Sequence, residues 1–283
     1  MWRALLIVSA SLLLMMASLK AAERWNTFPS PPPMPAAEKS GYVSVGAIHM
    51  YYAIYGKGDP ILLIHGGLGN GDIWSRQVTD LAGKRMVIVA DSRGHGRSSF
   101  NSKPFSYELM ASDYAALLNS LNIHKVTVVG WSDGANIGLA LTMFHPELIT
   151  GLFAHAPNVT TDGNLTGGSR TSAFQAYARK CASDYQRLSK TPGAYNRLAR
   201  SLSLMWRNQP KWTRAQLSNI NVPVWIALGD HDEIIKSEHV KYISSVIPDS
   251  KVVTLKDTGH FSIVQDPKGY TDAILDFLKT FEH

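Results

Sequence analysis

"VTVVGWSDGANIGL", residues 126–139, is the stretch whose reading decides the fold. Val126 to Val129 is a β-branched run suited to a buried strand, and the residues after Gly134 recur at helical spacing. Between them Ser132 stands in Gly130-Trp131-Ser132-Asp133-Gly134. A serine there is either a helix cap or a nucleophile on a strained strand-to-helix turn. Glycines two before and two after it leave no Cβ where the two backbones crowd together, and Ala135 keeps the next position small. Amides at the start of the helix face developing negative charge. With a strand before and a helix after, Ser132 reads as a nucleophile.

A nucleophilic serine needs a base, and the base needs an orienting acid. On a sheet of this kind they follow the serine in the order acid, then histidine. "WIALGDHDEII" closes a later strand and offers Asp230 and Asp232; Asp232 is favoured as the acid and Asp230 as a turn or capping residue. "VTLKDTGHF" places His260 in a loop just past another strand, after both aspartates. His231 reads as a loop residue. His155, at the end of "ITGLFAH", precedes the aspartates and is assigned to the pocket wall.

"ILLIHGGLGNG" lets the backbone approach a substrate carbonyl. The amides of Gly67 and Asp133 are the expected oxyanion donors, with Leu68 as substitute for the first. His65 then supports this loop. A dinucleotide site competes for the same glycines, but "GGLGNGD" lacks the G-x-G-x-x-G spacing. Asp91 and its neighbours "SRGHGRS" read as a structural turn. No H-E-x-x-H pattern or paired-thiolate motif is present, so neither metal nor organic cofactor is expected.

Working outward, "PILLIHGG", "RMVIVADSRGHG", "ITGLFAHAP", "PVWIALGD" and "SKVVTLKDTGH" repeat the form of an apolar strand ending in turn residues. Helix-length segments such as 106–121 and 134–145 separate them. This predicts an α/β fold: a mostly parallel sheet with helices on both faces. The rhythm breaks between His155 and Pro223. Tyr195, Leu198, Leu202, Met205 and Trp206 share one helix face there, so 158–214 reads as a helical cap insertion above the carboxyl ends of the strands. Trp131, Leu68 and Trp206 are expected to form apolar pocket walls.

The whole chain has 283 residues, 45% hydrophobic and 18% charged, enough for one α/β domain with an insertion. Between Pro157 and Gln216 lie ten of its 28 Lys/Arg but two of its 22 Asp/Glu. The basicity thus belongs to the insertion, either as a solvated helix face or as an attractor of anionic substrates or headgroups. No nucleic-acid module accompanies it. Cys181 is the one cysteine, which excludes an intrachain disulfide. Residues 1–22 read as a signal peptide for export to a periplasmic or extracellular space, or, if uncleaved, as an anchor that associates the chain with a membrane. The Pro-rich 23–41 reads as an extended tether, and the domain as 42–283.

HGG, DSRGHGRS, GWSDG, GDHD and TGH, in this order, resemble the α/β-hydrolase superfamily over nearly everything from Tyr42 onward. GWSDG and the inserted helices look like the capped serine hydrolases related to valacyclovir hydrolase and biphenyl-degradation hydrolases. The resemblance implies a Ser132–Asp232–His260 triad and the cap. It also offers the Asp133 carboxylate for the ammonium of an aminoacyl substrate, which the basic insertion argues against. Serine rather than aspartate at the nucleophile position disfavours epoxide hydrolases and haloalkane dehalogenases. The expected activity is hydrolysis of a small-molecule carboxylic ester through an acyl-enzyme. Carbon–carbon bond hydrolysis, aminopeptidase-like amide hydrolysis and a non-catalytic ligand-binding protein are the alternatives. The sequence leaves oligomeric state open.

Overall fold

A computed structural model describes residues 23–281. Eight strands form one sheet: β1 (Lys39–Val45), β2 (Ile48–Tyr55), β3 (Pro60–Ile64), β4 (Met86–Ala90), β5 (Val126–Trp131), β6 (Ile149–His155), β7 (Val224–Gly229) and β8 (Ser250–Leu255). Their spatial order is β1-β2-β4-β3-β5-β6-β7-β8; the β1–β2 and β2–β4 pairings are antiparallel and every other pairing is parallel. The central strands are almost wholly apolar, and all six residues of β5 are buried. That is what a sheet covered on both faces demands.

The first helices in the chain are α1 (Ser75–Leu81), α2 (Tyr107–Ser120) and α3 (Asp133–Phe144). α4 (Ser172–Leu188), α5 (Tyr195–Asn208) and α6 (Arg214–Ser218) follow β6, and α7 (Ser237–Val246), α8 (Ser262–Gln265) and α9 (Pro267–Lys279) complete the set. Adjacent residues of β6 show the two covered faces, since strand side chains alternate. Leu152 lies beneath Gly138 of α3, whereas Phe153 packs on Tyr270 and Phe277 of α9.

Between β6 and β7 no strand forms among the described residues; α4 to α6 fill the interval. Leu198, Leu202 and Met205 of α5 are buried, as their spacing predicts. The basic residues of this insertion turn outward or to neighbours: Lys180 and Arg187 pair with Asp184, and Lys190 lies over the Tyr42 ring.

Two boundaries differ from expectation. The sheet begins at Lys39, not Tyr42, because β1 pairs with β2 over its whole length. Nor is 23–41 a free tether. The Arg24 guanidinium donates to the carbonyls of Asp257 and Lys256, and the Gln265 carboxamide donates to those of Trp25 and Thr27. Trp25 stacks flat on His231 at 3.7 Å, while Phe28, Met34 and Ala37 pack on the core. The segment's docking is set by distant partners that composition does not reveal. The signal or anchor expected at 1–22 lies outside the described residues. Among those described, no helix is long and apolar enough to cross a membrane.

Candidate active site

Ser132 joins β5 to α3 with φ 56° and ψ −120°. That left-handed turn costs a non-glycine residue about 1–3 kcal/mol. It persists because the surroundings leave no alternative: the Ser132 amide donates to the His155 carbonyl at 2.8 Å. A Cβ at Gly130 would meet the backbone of Gly134, and one at Gly134 would meet the Ile64 carbonyl.

The turn directs the Ser132 Oγ to the His260 Nε2, 3.0 Å away. The His260 Nδ1 lies 3.0 Å from Asp232 Oδ2 and 3.3 Å from Oδ1. The Ile234 and Ile235 amides both donate to Asp232 Oδ1 at 2.8 Å, which fixes the carboxylate. Burial alone would raise Asp232, but the charge and hydrogen bond of His260, with those two amides, hold it below the usual carboxylate range. Burial likewise pulls His260 down, and the Asp232 carboxylate beside it more than reverses this, so the imidazole stands above its ordinary value.

Asp230 lies apart, 3.9 Å from His231 and 3.8 Å from Lys256, and its Oδ1 accepts from the Thr258 amide. Glu233, which the sequence reading passed over, accepts the His260 backbone amide at 3.0 Å. It braces the histidine loop without touching the ring nitrogens. The Trp131 indole donates to the His260 carbonyl at 2.8 Å and braces the loop's other side.

In the 66–69 loop, where the oxyanion donor is expected, the C=O and N–H of each trans peptide point in opposite directions. In the Gly66–Gly67 unit the carbonyl accepts from His65 Nδ1 at 2.7 Å and from the Gly69 amide, leaving the Gly67 N–H pointing away. In the next unit both ends are taken. The Tyr177 hydroxyl donates to the Gly67 carbonyl at 2.7 Å, and the Leu68 N–H donates to His95 Nε2 at 3.2 Å. Leu68 therefore cannot substitute as a donor. The amides of Gly67 and Asp133 have no partner among the described residues, and both residues line the cavity at Ser132.

His65 Nε2 accepts the Ser92 amide at 2.9 Å, and His95 Nδ1 bonds the Arg93 carbonyl at 2.9 Å. Burial lowers His65 to about 4 and His95 to about 3. Both stay neutral, each with one ring nitrogen accepting a backbone N–H.

The cavity holds about 210 Å³. Trp131 and Trp206 line it as expected, joined by Tyr107, Phe174, Tyr177 and Phe261. Two residues assigned to its wall do not reach it. Leu68 is buried beneath the loop. His155 is fully buried, its ring 6.3 Å from that of His260 and 5.1 Å from Tyr270, on the face that Phe153 also presents to Tyr270; the cavity is lined instead by Ala156, just past the strand's end at φ 54°. No Lys or Arg is among the lining residues, so the insertion's charge does not face Ser132. Burial raises Cys181 to about 12, which leaves an inert thiol. Asp91 spends its carboxylate on the Gly71 amide and on Arg97, as a structural turn requires.

The Asp133 carboxylate accepts from the Tyr107 hydroxyl at 2.8 Å and from the Trp206 indole at 2.8 and 3.0 Å. Burial pushes it up to about 6, against those two hydrogen bonds. A carboxyl that holds its proton more tightly when folded stabilises the fold fully below its unfolded value, and that stability is lost as pH rises through the folded value. A neutral carboxamide in its place would keep an oxygen at the Oδ1 position for both donors, while its NH₂ would forfeit the Trp206 bond to Oδ2, offsetting about 1 of the roughly 3 kcal/mol gained by removing the charge. Asp133→Asn is therefore expected to raise unfolding stability at neutral pH by about 2 kcal/mol, a gain that disappears below about pH 4. Urea melts at both pH values measure it; a variant less stable at both would refute this electrostatic account.

Comparisons with known proteins agree with the fold. Residues 59–204 match the family model described as the alpha/beta hydrolase fold. A provisionally named carbamate hydrolase, RutD, of Azorhizobium caulinodans is 25% identical over 83% of this chain and 97% of its own length. The 3-oxoadipate enol-lactonase 2 of Acinetobacter baylyi is 26% identical over 88% of this chain and 100% of its own. Among solved structures, a serine hydrolase involved in carbazole degradation superposes with a TM-score of 0.73 at 21% identity, over 86% of this chain and 99% of that one. The family match spans more than half the sequence, and the eight-stranded sheet agrees with it: the chain belongs to the α/β-hydrolase fold family.

Proposed function

We propose that the protein hydrolyses carboxylic esters of small molecules, lactones included, through an acyl-enzyme on Ser132. The observation that carries this reading is the unbroken line Ser132–His260–Asp232 beside two uncommitted amides. Ser132 Oγ attacks the ester carbonyl while His260 Nε2 takes its proton. The amides of Gly67 and Asp133 hold the tetrahedral oxyanion, each such donor lowering the barrier by about 3 kcal/mol. Asp232 keeps the Nδ1–H tautomer and stabilises the imidazolium. His260 then protonates the leaving alcohol, and water, activated by the same imidazole, releases the acid. No step calls on a metal or an organic cofactor. The helices between β6 and β7 act as a cap, contributing Phe174, Tyr177 and Trp206 to the walls. The enol-lactonase relative adds cyclic esters to the range worth testing.

The test is labelling by a fluorophosphonate probe, read by mass spectrometry, beside turnover of short p-nitrophenyl esters. Label on Ser132 together with turnover is the expected result; an unlabelled Ser132 in folded protein would point instead to a binding protein. The pH profile gives a separate check. His260 must be neutral to accept a proton, and its neighbours hold its pKa above the ordinary imidazole value. kcat/KM should thus fall on the acid side with a midpoint above about 6.5. A midpoint well below that would leave His260 out of the proton transfer.

A further inference from the structure

A second space adjoins the first. Between the 100–105 loop and α5 runs a groove of about 590 Å³, larger than the cavity at Ser132. Its apolar surface comes from Phe100, Phe105, Leu204 and Met205. Leu204 is 56% exposed, so its side chain is open to a chain lying in the groove. Two cations stand in the walls, Lys103 and Arg197, and no Asp or Glu is among the lining residues. The Arg197 guanidinium lies 4.2 Å over the Phe100 ring, which orients it without neutralising it. The acid that Lys103 senses, Asp113, is buried and clasped by Arg93 through both oxygens.

Gln209 connects the two spaces, for it borders both. Its carboxamide oxygen is buried and has no hydrogen-bond partner among the described residues. The protein thus supplies nothing to that oxygen to hold the side chain in place between cavity and groove.

We propose that the groove receives the anionic far end of an amphiphilic ester. The scissile carbonyl sits at Ser132, the aliphatic chain passes Gln209 and covers Leu204, and a terminal carboxylate meets Lys103 and Arg197. This rests on the esterase reading of Ser132 and adds the substrate class. It also gives a place to part of the insertion's positive charge, which does not line the cavity itself.

The test compares p-nitrophenyl monoesters of a series of dicarboxylic acids with p-nitrophenyl alkanoates of equal length. For the native protein, the ratio of kcat/KM, diacid ester over alkanoate, should rise once the chain is long enough to span both spaces, and should fall with added salt. In K103E/R197E that ratio should drop about tenfold. A ratio that the double variant leaves unchanged, or that never favours the diacid, overturns the groove while esterase activity stands. If the native protein turns over neither series, the esterase reading fails by itself. Calorimetry of a long dicarboxylic acid with Ser132→Ala then decides the groove: binding weakened about tenfold by K103E/R197E supports it, and absent or unweakened binding rejects it.

Discussion

Ser132→Ala is expected to lower kcat on p-nitrophenyl esters by at least about four orders of magnitude, the scale on which removal of a nucleophile acts when oxyanion donors and binding remain. The size follows from the geometry. His260 Nε2 has one acceptor role in the site, toward the Ser132 hydroxyl at 3.0 Å, and alanine leaves the imidazole with nothing to activate but water. Folding is a separable concern. Residue 132 sits at φ 56°, where alanine is as strained as serine and glycine is not. Ser132→Gly should therefore be equally inactive yet more stable than the alanine variant by about 1 kcal/mol. Turnover within tenfold of the native rate in either variant, with fluorophosphonate labelling lost, would remove Ser132 from the reaction.

Asp232→Asn should cost about 10⁴ in kcat with little change in structure. The Ile234 and Ile235 amides both donate to Oδ1, so the carboxamide of an asparagine must place its oxygen there and its NH₂ toward His260. A donor at that point forces Nδ1 to become the acceptor and moves the ring proton to Nε2. The nitrogen facing Ser132 then carries a hydrogen and cannot take another. Glu233 is not placed to take over, because its Oε2 holds the backbone amide of His260 and neither of its oxygens bonds the ring. Steady-state kinetics of the variant beside its melting curve tests the argument; a loss below tenfold would show that the tautomer is fixed by something other than Asp232.

What could be read from the chain and what could not divide along physical lines. The Ser132 turn was legible because everything it needs is local: a strand, two glycines and a helix within one short stretch. Asp232 and His260 were legible through their order and their places at strand ends. The supports were not. His95, Tyr177, Tyr107 and Glu233 act across long separations, and no spacing marks a tyrosine as the clamp of one carbonyl. Leu68 was misassigned for that reason: its amide is committed to a histidine that lies 27 positions further along. His155 stood at a strand end like the others, but alternation turned its ring into the core. The docking of Trp25 and Phe28 was hidden because their partners, His231 and the core, lie far along the chain and a proline-rich composition does not point to them.

One peptide unit has a wider consequence. The Gly67–Leu68 amide plane is gripped on one edge by a side chain of the main body and on the other by Tyr177 of the inserted helices. Replacing those helices to accept a new substrate would also let go of one handle on the machinery that speeds the reaction. On the proposed mechanism selectivity and speed are mechanically linked, and a graft that carries no hydroxyl to the same spot should broaden what enters while slowing what is done to it.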